Sequence, residues 1–253
     1  MNIDSPTGSN ILSLRSLWKE AFGDSDEFLD SFFSTAYSEK RCRCITDQSD
    51  VLSALYWFDC VADGEKVAYI YAVATLESQR GKGLCAMLMK NTHEHLCKLG
   101  YVGAILVPGS VKLFDFYEKL GYKICSKVKN FEACASDEKI EFAKIDANDY
   151  AIFRRKFLPE NSVVQENENI SFLETMNDFY KGEDFLMVAN KRGDTLHCAE
   201  LLGNSDRAAA IVNSFACKNG FFRTPGDETP FTMYISLDNN LKNMPSYFGL
   251  AFD

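Results

Sequence analysis

Gln79-Arg80-Gly81-Lys82-Gly83-Leu84 stands between two runs of different period. Before it lies an apolar run, Val67-Ala68-Tyr69-Ile70-Tyr71-Ala72-Val73-Ala74-Thr75-Leu76, which reads as a strand. After it, Leu84 to Leu99 places Cys85, Leu88, Met89, Thr92, Leu96 and Leu99 on one helical face. A basic, glycine-rich turn from a strand into a helix suits a diphosphate. Glycines let backbone N–H groups approach phosphate oxygens. The first helical N–H groups lack internal partners and carry partial positive charge, and Arg80 and Lys82 add full charges beside them. The stretch points to a phosphorylated cofactor, and so to an enzyme.

Working outward, residues 11–22 carry Leu14, Leu17, Trp18 and Phe22 at helical spacing, and Gly23 suits the helix end. Asp24 followed by Glu27 reads as a capping-box-like start of a second helix over 25–37. Residues 41–47 and 51–60 read as a hairpin, followed by a strand over 66–76. Beyond the first long helix, 101–107 is a strand, 113–120 a short helix closed by Gly121, and 122–128 another strand. The order helix, helix, three strands, helix, strand, helix, strand predicts an α/β (α+β) fold with a mixed sheet.

Composition shifts at Ala133–Asp137, a polar break of small residues. The reading is two domains, 1–133 and 138–253. In the second, 139–145 is a strand candidate, and 149–158 a helix capped by Asp146. Phe172–Phe179 reads as helical, and 185–190 with 195–202 flank a hairpin turn at Lys191-Arg192-Gly193-Asp194. Residues 208–216 read as helix, 232–237 and 247–252 as strands. The element order of the first half returns, but Gly203-Asn204-Ser205-Asp206-Arg207 stands where the glycine-rich turn would be.

The net charge of −9 argues against a nucleic-acid surface. It is compatible with a cationic amine. Nine cysteines and three histidines show no metal-ligand spacing, so no metal is expected. The plain reading of the cysteines is reduced core thiols in a reducing cytosol. The first residues lack the pattern of a signal peptide, and no apolar run reaches the length of a membrane span.

Two groups of residues together resemble the GNAT acetyltransferase superfamily. Its cofactor signature is Arg or Gln, two residues, Gly, one residue, then Gly or Ala. It matches Arg80, Gly83 and position 85, where Cys85 departs from the pattern but stays small. The second group is Tyr117-Glu118-Lys119-Leu120-Gly121-Tyr122, similar to the family's tyrosine-bearing short helix. The resemblance covers about residues 10–130. The second half is similar, at the level of element order, to the degenerate GNAT-like unit of tandem members such as the bacterial enhanced-intracellular-survival-type acetyltransferases.

The resemblance implies acetyl-CoA as cosubstrate, its diphosphate on Arg80, Gly81, Lys82, Gly83, Leu84 and Cys85. It implies that Val73, Ala74 and Thr75 offer backbone groups to the pantetheine arm and to the oxyanion formed on attack. It implies Tyr117 as the acid that meets the departing thiolate; a buried structural tyrosine is the plainer reading of that residue. A chance Gly-Lys-Gly turn entering a helix is the plainer reading of the signature. Many relatives carry a basic carboxylate on the strand before the turn, and Lys66 to Thr75 has none. The candidates for general base are Glu77, Asp24, Asp26, Glu27 and the C-terminal carboxylate of Asp253, which serves as base in the survival-type enzymes. Ser110 replaces an asparagine that contacts CoA in many relatives. The implied function is acetyl transfer to a small-molecule or peptide amine. The alternatives are a non-catalytic acyl-CoA-binding module and transfer of another acyl group. Acceptor identity and oligomeric state are not legible in the sequence.

Overall fold

The computed structural model describes residues 1–238 and 244–252. They form two compact units. The first holds Met1–Lys123 and the chain from Tyr234 onward to Asp238, and the second holds Ile124–Met233 and residues 244–252.

In the first unit, α1 (Ile11–Phe22) ends on Gly23, whose left-handed φ of 75° lets its N–H reach the Lys19 carbonyl. α2 (Asp26–Thr35) follows. Its cap is Ser25, which accepts from the Phe28 amide, rather than Asp24. The strands are β1 (Asn2–Asp4), β2 (Cys42–Asp47), β3 (Asp50–Ala62), β4 (Glu65–Thr75) and β5 (Gly103–Leu106). They lie in that order in the sheet, with the end of β13 (Thr229–Ser236) beyond β5. β1 escaped sequence reading because three residues carry no periodicity. β1 to β4 pair antiparallel in turn, whereas β4 and β5, joined through α3 (Leu84–Lys98), run parallel. α4 (Val111–Lys119) follows β5.

Aromatic packing holds α1 and α2 on one sheet face. The Trp18 ring lies 4.7 Å from Phe32, 5.1 Å from Tyr56 and 5.6 Å from Tyr71. Such pairs are each worth about 0.5–1.5 kcal/mol beyond their buried area. Asp24 accepts from Trp18 Nε1 at 2.8 Å, so the carboxylate completes this cluster.

β6 (Lys123–Cys134) opens the second unit and runs well past the expected strand end at 128. The change of unit at Lys123/Ile124 therefore precedes the polar break at 133–137. Ladder pairing carries the strand into that break: β6 pairs with β12 (Asn219–Pro225) from Val128 to Cys134. β12 was not expected, since its polar and glycine positions hide the alternation. The remaining elements are β7 (Ala143–Ile145), α5 (Ala147–Phe157), β8 (Val164–Gln165), α6 (Glu168–Glu174), β9 (Asp178–Lys181), β10 (Phe185–Arg192), β11 (Thr195–Gly203) and α7 (Ala208–Ser214). Phe172–Phe179 thus begins in the last residues of α6 and ends in the first of β9. There, pairing of Phe179 with Val188 prevails over helical spacing. Residues 247–252 form no strand beyond a bridge from Tyr247 to Ser162.

The unit repeats the plan of the first: an antiparallel hairpin β10–β11, then α7, then β12 parallel to β11. α5 packs through a buried ion pair. Glu200 on β11 accepts from Arg154 Nε and Nη2, both at 2.8 Å, and from the hydroxyls of Tyr150 at 2.8 Å and Tyr247 at 2.9 Å. Gly249 must be glycine here, because a Cβ would run into Glu200 Oε1 and the Tyr247 hydroxyl.

Removing one partner of a buried pair strands the other charge. Glu200→Ala is therefore expected to lower the unfolding free energy by about 3–5 kcal/mol in urea titrations. Glu27→Ala, on an exposed surface, is expected to leave the urea midpoint nearly unchanged.

Candidate active site

The site begins with an irregularity in β4. On its β3 side, Tyr56 pairs with Tyr71 but Ala54 pairs with Ala74, so Ala72 and Val73 stand against Leu55 alone. This is a β-bulge, and Ala72 takes a left-handed φ of 47° to make it. On the β5 side the parallel ladder ends at Tyr69–Ile105. Among the described residues, Ala72, Val73, Ala74 and Thr75 have no ladder partner on that side.

Ser53 on β3 fixes the freed stretch from below. It is fully buried, donates to the Ala74 carbonyl at 2.7 Å, and shares a hydrogen bond with Thr75 Oγ1 at 2.8 Å. Arg80 Nε donates to the Thr75 carbonyl at 3.2 Å, and the Leu76 amide donates to the Leu52 carbonyl at 2.9 Å.

The glycine-rich turn follows at once. Residues Glu77–Gln79 make one 3-10 turn, and Arg80 is extended. Gly81 and Gly83 both have left-handed φ, 79° and 78°. A Cβ at either glycine would meet nothing within 4 Å, and Gly81, Lys82 and Gly83 are exposed, so there is open space beside both glycines. Gly83 is the N-cap of α3 and offers no side chain to cap it. The first N–H groups of α3 are thus left by the helix itself without partners, beside Arg80 and Lys82. Lys82 Nζ is held by Gln79 Oε1 at 2.8 Å. An open, uncapped helix start flanked by cations fits a diphosphate.

Cys85, one turn into α3, is partly buried, and burial pushes its thiol up to about 11. Tyr117 on α4 is 7% exposed. Burial raises its phenol well above the ordinary value, and the neighbouring Cys85 adds to the effect. Tyr117 is therefore a protonated donor at neutral pH. Its ring packs at 5.7 Å on Tyr122, whose hydroxyl shares a 2.8 Å hydrogen bond with His93 Nε2 on α3. The structure thus brings Cys85, Tyr117, Tyr122 and His93 together on the α3–α4 side.

The candidate bases fare differently. Asp24 is engaged by Trp18, and Asp26 is held by Lys19 at 2.5 Å and Arg15 at 3.6 Å. The Lys19 bond, first among the causes, lowers the Asp26 pKa. Hydrogen bonds from its own backbone amide and Ser25 lower that of Glu27, which is exposed. Glu77 is exposed in the turn, and its amide donates to Glu20 Oε1 at 2.6 Å. Asp253 lies outside the described residues. Ser110 is the N-cap of α4 but its side chain makes no capping bond.

Sequence reading missed Ser53, Glu20 and the bulge at Ala72. Ser53 and Glu20 act through the turn and strand they touch, a tertiary relation without a linear signal. The bulge falls on an alanine, a residue that gives no warning of positive φ. Among the described residues, no group of three or more His, Cys, Asp or Glu side chains could hold a metal. Among the described residues, too, no helix is long and apolar enough to cross a membrane.

Comparison with known proteins places these features in a family. The acetyltransferase (GNAT) domain model matches residues 2–125, the segment that carries the bulge, the turn and Tyr117. Residues 2–125 are thus a GNAT acetyltransferase domain, a family whose cosubstrate is acetyl-CoA. No curated protein sequence matches it. A GCN5-related N-acetyltransferase from Kribbella flavida is similar in structure, with a TM-score of 0.72 at 18% identity, over 94% of this chain and 71% of that one. One from Anabaena variabilis gives 0.71 at 14%, over 94% and 73%. Eis1 from Mycobacterium abscessus gives 0.68 at 12%, over 94% and 74%. These likenesses concern the fold, and they extend through both units.

His93 leads to a pH dependence of stability. Burial pulls its pKa down from 6.5 to about 4. The unfolded chain takes up the proton near pH 6.5, the folded chain only near 4, so stability is complete above the first value and declines as pH falls towards the second. The decline is expected to reach about 2–3 kcal/mol. Thermal melts from pH 7 to 4 should be flatter for His93→Gln than for the parent.

Proposed function

We propose that this chain is an N-acetyltransferase that moves an acetyl group from acetyl-CoA to an amine by direct transfer in a ternary complex. The observation that carries the reading is the open, uncapped start of α3, set directly after a strand whose ladder has come apart. The backbone of Arg80, Gly81, Lys82, Gly83, Leu84 and Cys85 would hold the diphosphate. When bound, acetyl-CoA supplies a thioester whose carbonyl is open to attack by an amine.

Beside it, Val73, Ala74 and Thr75 lie beyond the end of the β5 ladder, so on that edge they have no ladder partner among the described residues. An amide fixed in advance towards developing negative charge lowers the barrier, because nothing needs to reorient during reaction. Ser53 and Arg80 supply that fixity by occupying the carbonyls of Ala74 and Thr75. Tyr117 gives its phenolic proton to the departing sulfur. Burial keeps that proton in place until a thiolate appears.

The amine must lose a proton before it attacks. Asp24 and Asp26 are committed to Trp18 and to Lys19, and the Glu27 carboxylate is stabilised as the anion. Of the candidates Asp24, Asp26, Glu27 and Glu77, this leaves Glu77 as the base. The second reading, an acyl-CoA-binding module without turnover or a transferase of another acyl group, draws on the lack of a carboxylate from Lys66 to Thr75 and on Ser110. Thiol release from acetyl-CoA in the presence of a mixed amine library separates the two: tight CoA binding without turnover on any amine refutes acetyl transfer to an amine.

Two substitutions sharpen the test. Gly83→Glu is expected to weaken CoA binding by more than about tenfold in calorimetry, at a stability cost of about 1–2 kcal/mol for a side chain at positive φ. Unchanged affinity removes the cradle. Tyr117→Phe is expected to lower kcat by about a hundredfold with little change in CoA affinity, and equal turnover removes the acid role.

A further inference from the structure

We propose that His93 is a positioning residue for the acid Tyr117, acting on it through the hydroxyl and ring of Tyr122. This rests on the reading of Tyr117 as the group that meets the departing sulfur.

An acid in that role has to be held still. Its phenol ends a side chain with two rotatable bonds, and a misplacement of about 1 Å at a reacting group costs about a hundredfold in rate. α4 itself supplies little of the restraint. Of its nine residues Tyr117 alone is buried, Phe114 and Phe116 are half-buried, and the rest are exposed. The helix therefore rests on the unit mainly through the side chain whose position matters.

Tyr122 restrains Tyr117 at two points. Past α4 the chain doubles back at Gly121, whose φ is left-handed at 94°. The Tyr122 amide then donates to the Tyr117 carbonyl at 3.1 Å, beside the Leu120 amide at 3.0 Å. The two rings meet edge to face, with centroids 5.7 Å apart and planes 66° apart. Such a wall keeps the Tyr117 ring from swinging only if Tyr122 is itself fixed. Tyr122 is fully buried, and its hydroxyl is anchored at the far end by the 2.8 Å hydrogen bond with His93 Nε2.

His93 belongs to α3, the helix that Gly83 opens. The bond thus ties the acid to the element that offers the diphosphate cradle. Cradle and phenol are set in one rigid frame. The anchor does not titrate near neutral pH. Burial pulls His93 down to about 4, so its imidazole is neutral and offers one acceptor nitrogen. Burial also raises the Tyr122 phenol well above its ordinary value, so the hydroxyl keeps its proton.

A buried tyrosine hydroxyl needs a partner for stability alone. A bond with only that role changes the melting temperature and leaves turnover of the folded enzyme as it was. Three variants of the full chain separate the two roles. His93→Leu removes the bond from α3. Tyr122→Phe removes it from the other end and keeps the ring. His93→Gln keeps it, because the terminal amide of glutamine reaches about where Nε2 stands.

Turnover is read as thiol release from saturating acetyl-CoA with the mixed amine library, below the melting temperature of every variant. His93→Leu and Tyr122→Phe are each expected to lower it by about tenfold or more, with CoA affinity in calorimetry within about twofold of the parent. His93→Gln is expected to recover most of the loss. In the Tyr117→Phe background neither substitution is expected to add a further loss, because the group they position is gone. A second readout needs no acceptor. With tyrosine ε-carbons labelled with ¹³C and CoA bound, the Tyr117 signals are those missing from Tyr117→Phe. Their line shape is expected to report faster ring flipping in His93→Leu and Tyr122→Phe than in the parent and His93→Gln. Should His93→Leu fail to fold, Tyr122→Phe carries both readouts. The proposal is overturned by turnover unchanged in these two variants, by an equal further loss in the Tyr117→Phe background, or by ring flipping indifferent to the bond. The reading beneath it fails by a different result, no amine turned over or equal turnover by Tyr117→Phe, and either takes this proposal with it.

Discussion

The first unit depends on a strand that is deliberately interrupted. A parallel pair such as β4 and β5 normally continues its ladder to the strand ends, because each unpaired backbone group away from water is costly. Here the bulge at Ala72 turns the edge of β4 away after Tyr69, and one hydrogen-bonding edge is given up. The structure offsets part of this loss selectively. Ser53 takes the Ala74 carbonyl and Arg80 takes the Thr75 carbonyl, so acceptors are satisfied by side chains. On the opposite edge, β3 stays paired and its aromatic residues press Tyr71 against Trp18 and Phe32. A positive φ at an alanine is held in place by packing on one side and by hydrogen bonds on the other.

The glycine-rich turn makes sense only next to that interruption. Its two left-handed glycines bend the chain so that the N-terminus of α3 opens at the end of the split ladder. Neither element is selective alone. A helix start attracts any anion weakly, and a frayed strand edge attracts any hydrogen-bonding chain. Side by side they match a molecule with a diphosphate at one end and an amide-bearing arm along its length. Tyr117 then lies on the α3–α4 side, protonated because it is buried.

The two units share a plan and differ in what their turns permit. Hairpin, helix and parallel strand recur as β10–β11–α7–β12. In the second unit the loop before the helix is filled by its own side chains, and Arg207 there is committed to Asp184 at 3.1 Å. Its Glu200–Arg154 pair is spent in the interior.

Much of this was legible in the linear chain. Helical spacing from Ile11 to Phe22 and from Leu84 to Lys98, the strand 65–75 and the Arg80–Gly83 turn are local signals, since each rests on neighbours within one or two turns of chain. Tyr117 was legible through its short helix. What failed were features set by partners far away in sequence: β12, recruited by β6, and the strand at Asp178–Lys181, recruited by β10. The sequence by itself determined the glycine turn and the chemistry it can host, because φ and charge are properties of the residues present. Only the tertiary structure decided where the β4 ladder ends, that Ser53 clamps it, and that Asp24 serves an indole, because each is a contact between residues whose separation in the chain carries no period.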